Sequence, residues 1–210
     1  METEELAEWA RAVPPVLFYL SRGPSPAAVG PWVCSQWYPA TFATEGQRFR
    51  TAEHYMMWSK ALAFGDYDTA ELVLASDHPR AAKALGRRVA NLHEPTWEAL
   101  RFDVVVRANL AKFAQHETLR AWLISTAPAL LVEASPSDRV WGIGLDEADP
   151  DARRPERWRG QNLLGLALCR VRDLLTAAST PQENWPTGSG GGPPDVKGDY
   201  GQEAEGGAGT

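Results

Sequence analysis

Residues 51–66 read TAEHYMMWSKALAFGD, and this stretch decides the fold. Thr51 has the side chain of a helix N-cap, Gly65 is a helix terminator, and nothing between them breaks a helix, so the segment is predicted helical to about Phe64. Positions seven apart return to nearly the same helix face, which aligns Glu53 with Lys60 and sets Met56 and Met57 between them. An acid and an amine therefore stand at the two ends of an apolar stripe. Two readings fit that spacing. Either the stripe faces the interior, where each charge costs roughly several kcal/mol unless it is paired or employed at a site, or the helix is rotated and both groups face solvent.

The flanking sequence is also mainly helical. Tyr67 to Ala75 follows Asp66 as a second helix, and Asp77 with Pro79 opens a third through Leu85. Pro95 opens a long helix in which Trp97, Leu100, Val104, Val105, Ala108 and Ala111 recur at helical spacing, and His116 to Ser125 reads as another. The last runs from about Asn162 to Thr176, with Leu163, Leu164, Ala167, Leu168, Val171, Leu174 and Leu175 as its apolar stripe. Strand candidates are short: Val16 to Tyr19, Phe42 to Phe49 and Leu130 to Ala134. The expected fold class is mainly α, a single multihelical domain over residues 14–178 with minor short β strands. Residues 1–13 are read as an N-terminal extension, helical through Leu6, Trp9, Ala10 and Val13. Residues 179–210, rich in Gly, Pro and acids, offer almost nothing to bury and are read as a disordered tail.

The 210 residues are 44% hydrophobic and 23% charged, an ordinary globular mixture. From Pro181 onward five acids face Lys197 alone, so the tail carries −4 of the net charge of −6 and the rest −2. Such a balance disfavours stable binding to long nucleic acid, though a small anion held by a few basic groups fits. The acidic opening METEELAEWARAVPP and the lack of a run of about 18 apolar residues predict no signal peptide, no membrane span and a cytoplasmic location. Cys34 and Cys169 read as two buried thiols, and His54, His78, His93 and His116 as capping or surface residues without metal-ligand spacing. P-loop, nucleophile-elbow and dinucleotide fingerprints are missing, which disfavours those enzyme classes.

Two further segments could line a site. Residues 135–165, SPSDRVWGIGLDEADPDARRPERWRGQNLLG, have neither helical nor strand periodicity, and loops this long in a compact domain are functional or disordered. Trp141 and Trp158 argue against disorder. They either stack on a ligand ring or pin the loop to the core, while Asn162, at a helix start, could cap it and leave amides for an anion. Residues 32–38, WVCSQWY, containing Gln36 and Trp37, suit a pocket wall or a half-buried strand.

In order along the chain, SQWYPATF at 35–42, EGQRF at 45–49, residues 51–66, AKALGR at 82–87, Trp97 with Arg101, Lys112 with Phe113, LVEASPSDRVWGIG at 131–144 and WRGQNLLGLALCRVR at 158–172 resemble the YbiA-like family, also called NADAR. The likeness spans roughly residues 16–175. Gln36 stands where many members have Asn, and the stretch from Asp146 to Pro155 and the tail have no counterpart. The resemblance implies an all-α fold and N-glycosidase activity, without metal or organic cofactor, on ribosylated substrates. Some branches of the family hydrolyse phosphoribosylamino-pyrimidine intermediates of riboflavin synthesis; others remove ADP-ribose from guanine, free or within nucleic acid. It further implies catalytic roles for Glu53, Lys60 and Asp138, and substrate binding by Gln36, Trp37, Arg101, Lys112, Arg139, Trp141, Gly142, Trp158 and Asn162.

N-glycoside cleavage builds positive charge at the anomeric carbon while the departing nitrogen needs a proton. Glu53 is expected at the ribose hydroxyls and cationic centre, and Asp138 as the group that activates water or protonates the leaving group. Trp141 and Trp158 are expected to stack on the base, with Arg101, Lys112 or Arg139 at phosphate. Lys60, desolvated beside two methionines, either attacks the anomeric carbon to form a Schiff base or pairs with Glu53 or a phosphate. A module that binds ADP-ribose without turnover, and an interaction protein acting through its tail, are the competing readings.

Overall fold

The computed structural model describes residues 2–19, 23–25 and 28–178; the tail expectation lies outside them. Seven α-helices and four short strands appear among the described residues: α1 (Thr3–Ala12), β1 (Val16–Phe18), β2 (Phe42–Thr44), β3 (Gln47–Phe49), α2 (Ala52–Ala63), α3 (Tyr67–Ala75), α4 (Pro79–Gly86), α5 (Glu94–Ala114), α6 (Glu117–Ser125), β4 (Leu131–Glu133) and α7 (Leu163–Ala177). The domain is mainly α, as the periodicity predicts. No helix among these residues is long and apolar enough to cross a membrane.

Local chemistry fixes most boundaries. Asp66 caps α3 by accepting from the Thr69 N–H at 3.1 Å, and His78 caps α4 by accepting from the Arg80 N–H, with Pro79 in the first turn. The stretch from Phe42 to Phe49 is a hairpin rather than one strand: Glu45 and Gly46 both have positive φ, the pattern of a type I′ turn. Thr51 precedes α2 but does not cap it with its side chain, because its hydroxyl is bonded to His54 Nδ1 at 2.8 Å. The other nitrogen of that ring meets the Ser76 carbonyl, so His54 is a buried link between α2 and the end of α3, not a surface residue.

Helix α2 lies at the centre of the domain, packed on α3, α4 and α5, while α5 also packs on α7 and α7 on β4. On α5 the buried face is Trp97, Val104, Val105, Ala108 and Phe113; Leu100, placed on that face by spacing, is 41% exposed. Burial of the α7 stripe follows expectation through Leu164, Ala167, Leu168, Val171 and Leu175. β1 pairs in parallel with β4, Val16 opposite Leu131 and Phe18 opposite Glu133. Residues 32–38 are not a strand: Pro31–Cys34 form a 3-10 turn, since Pro31 starts a helical turn and removes a ladder donor. α1 does attach to the body: Leu6 and Ala7 are buried, and the Trp9 indole N–H donates to the Pro128 carbonyl. Both cysteines are free and buried.

Candidate active site

A cavity of about 660 Å³ opens where α2, α4 and α5 meet the segment after the 3-10 turn and the loop after β4. α2 contributes Glu53, Met56, Met57 and Lys60, which decides the rotation that spacing left open: the stripe faces inward. α4 contributes Lys83, Gly86 and Arg87, and α5 contributes Glu94, Trp97 and Arg101. Gln36 and Trp37 form one wall; Glu133, Asp138 and Trp141 form the opposite one. Gly86 lets α4 lie close on α2, because a Cβ there would sit 1.9 Å from Met57 Sδ and force that side chain to move.

Four carboxyl groups line this space, those of Glu53, Glu94, Glu133 and Asp138. Glu53 is 3% exposed, and burial pushes its pKa up to about 7, against the pull of Lys83 and a hydrogen bond from Trp37. Glu133, at the end of β4, is pushed up to about 8 by burial first and then by Asp138 and Glu53, with Lys83 opposing. Asp138 is held differently. Its Oδ1 accepts the backbone N–H groups of Val140 and Trp141 at 2.9 and 2.8 Å, and its Oδ2 lies 4.0 Å from Lys83 Nζ.

Among the described residues, buried side-chain atoms without a hydrogen-bond partner concentrate here: Gln36 Nε2, Glu53 Oε1, Arg101 Nε and Glu133 Oε2 all belong to cavity-lining residues. Native proteins satisfy nearly all such atoms, and each one left open costs about 1–3 kcal/mol. Two donors and two acceptors therefore lie enclosed in the lining of one void.

Lys60 is half-buried, and burial lowers its pKa against the pull of Glu94. Its ammonium lies over the Trp97 ring, 5.4 Å from the centroid, and forms no ion pair with Glu53. Of the partners left open for Lys60, Glu53 is not the one: it feels Lys83 and a hydrogen bond from Trp37 instead.

The structure gathers seven of the twelve expected site residues around the cavity: Glu53, Lys60, Asp138, Gln36, Trp37, Arg101 and Trp141. Five lie elsewhere. Lys112 is fully buried and donates to the Val33 and Ser35 carbonyls at 2.6 and 3.1 Å, so its ammonium supports the Gln36 wall from behind rather than holding phosphate. Trp158 spends its indole N–H on the Ala152 carbonyl and packs against the core, the pinning reading of that residue. Arg139 is exposed away from the cavity. Gly142 is a packing position, since a Cβ would sit 2.8 Å from Ser135 Cβ. Asn162 does not cap α7. In the left-handed conformation it donates to the Leu131 carbonyl and accepts from the Glu133 N–H, and the Leu163 and Leu164 amides go to the Val140 and Trp141 carbonyls rather than to an anion. Glu133, Lys83, Arg87 and Trp97 join the cavity without having been singled out as site residues. Glu133 closes an apolar strand, where alternation gives no hint of which way it points. Lys83 and Arg87, four apart on α4, could have been noted as two cations on one helix face.

Against known proteins, a family model described as the NADAR domain matches residues 27–176. Protein irg-1 of Caenorhabditis elegans is 44% identical over 130 residues, 61% of each chain, so the match spans about three-fifths of that relative. N-glycosidase R617 of Acanthamoeba polyphaga mimivirus is 40% identical over 69% of this chain and 88% of its own. The solution structure of Escherichia coli YbiA superposes with a TM-score of 0.62 at 29% identity, over 78% of this chain and 85% of that one; that protein is named an N-glycosidase. Fold, cavity and relatives define the class, a mainly α domain whose relatives include proteins named N-glycosidases. The chain belongs to the NADAR family.

Proposed function

We propose that the protein is a hydrolase that cuts the N-glycosidic bond between a phosphorylated ribose or ADP-ribose and a nucleobase-like group. One observation carries this reading: unsatisfied donors and acceptors belong to residues lining a cavity that also holds four carboxyl groups, a desolvated lysine and tryptophan side chains. Cleavage needs a carboxylate beside the developing oxocarbenium ion, a base for water, and planar surfaces for the leaving ring. Glu53 takes the ribose hydroxyls and the cationic centre, and Asp138 activates water, its orientation fixed by two backbone N–H groups. Trp37, Trp97 and Trp141 offer faces to the base, and Arg101, Lys83 and Arg87 offer cations to phosphate.

Purified protein incubated with ADP-ribosylated guanosine and, separately, with a phosphoribosylamino-pyrimidine should release free base from one of them. Tight binding of both without release would instead make it a binding module. Lys60 can attack the anomeric carbon and open the ribose as a Schiff base; borohydride during turnover should then leave a ribose adduct on Lys60, seen by mass spectrometry. An unmodified Lys60 would reduce its part to pairing with phosphate.

A further inference from the structure

We propose that Glu133 is a catalytic residue, the proton donor to the departing nitrogen, set in the lining of the cavity that Glu53 and Asp138 also line. The inference rests on the N-glycosidase reading. Its geometry is independent of it: Glu133 lines the cavity from the end of β4, and its Oε2 is enclosed there without a partner. Glu53, itself nearly fully buried, likewise encloses an unpartnered Oε1 in the lining of the same cavity. The backbone of Glu133 is fixed by the Asn162 side chain, which takes its N–H, and by the Ile143 N–H, which donates to its carbonyl at 2.9 Å. A carboxyl placed rigidly at a cavity wall, facing two other acids and only Lys83 as a cation, holds its proton near neutral pH.

The step balances. As the C1′–N bond breaks, its electron pair goes to nitrogen, which takes the Glu133 proton. Water adds to C1′ and gives a proton to Asp138, which passes it to solvent, and solvent reprotonates Glu133. The charged groups facing Glu133 are Glu53 from α2, Lys83 from α4 and Asp138 from its own loop. Loss of its proton therefore sets an alkaline limb on kcat that belongs to the group of acids together.

The test uses Glu133→Gln in the full chain with two probes, the nitrogen-leaving substrate found above and p-nitrophenyl ribofuranoside 5-phosphate, whose phenolate departs without a proton. On the first, kcat should fall roughly a hundredfold or more, the usual share of a general acid. On the second, it should change little, and the alkaline limb of the wild type should flatten in the variant. An equal loss on both probes with an unchanged Tm, or no loss on either, overturns the proposal. If only the first probe turns over, the pH profile decides, and a limb that persists in Glu133→Gln overturns it. Should Glu133→Gln not fold, Glu133→Asp replaces it; that variant keeps a carboxyl and must retain the limb with reduced kcat. Failure of the wild type to release base from any substrate would sink the N-glycosidase reading instead, a result visible before any variant is made.

Discussion

Glu53 is an acid that folding places in an unfavourable medium. Burial raises its pKa from 4.5 to about 7, so the folded state holds a proton that the unfolded chain releases across that window. The sign follows: this group's contribution to stability is fully present below about pH 4.5 and is lost as pH rises toward 7, and Glu133 extends the loss toward 8. Glu53→Gln should therefore match the wild type in urea unfolding at pH 4.5 yet exceed it at pH 8, on the order of 2 kcal/mol for a shift of this size. The same variant should lose roughly a hundredfold or more in kcat; near-native turnover with intact folding would remove Glu53 from the chemistry. At this scale the sequence was partly legible. The seven-residue spacing brought Glu53 and Lys60 to one cavity, but spacing carries no information on which groups act on a carboxylate across the fold, and the cation that pulls on Glu53 is Lys83, not Lys60. Lys112 was misread because a charged residue beside an aromatic looks the same on paper whether it meets phosphate or two carbonyls.

Helices announce themselves through caps and breakers close in sequence, which is why α3, α4 and α7 lie within a residue or two of expectation. The contacts between them are set by atoms distant in the chain. Gly86, unremarkable within AKALGR, is where α4 rests on Met57, and a methyl there would force that side chain to move. Gly86→Ala should lower stability by about 1–3 kcal/mol, the usual cost of overpacking. It should also raise KM more than it lowers kcat, since α4 carries Lys83 and Arg87 into the cavity while the acids sit on other elements; a normal Tm and KM would show that the helices adjust freely. Asn162→Ala removes two hydrogen bonds that tie the start of α7 to β4, and their loss should cost about 1–3 kcal/mol, read as a drop in Tm. The loop between β4 and α7 had no periodicity to read, and its function was divided: the Asp138–Trp141 half enters the cavity, while the Trp158 half packs the domain.

For the whole molecule, two directions of shortening should differ. A chain ending after Ala178 loses only the Gly- and Pro-rich acidic stretch, and its kcat/KM should equal that of the full chain; a fall would give the tail a part in catalysis. Removal of residues 1–19 takes away β1, the partner of β4, and should abolish both cooperative unfolding and turnover. The mainly helical class was legible from pattern alone, whereas this parallel pairing was not, because period-2 alternation in three residues says nothing about where a mate lies.

That pairing also bears on how the domain comes into being. Val16 is synthesised well before Leu131, so the β1–β4 contact closes a very long loop and cannot form until the helices between the two strands have been made. Because Glu133 sits on the later of these strands, the nascent chain stays inert while its first helices are already in place, and competence arrives late, as a single event.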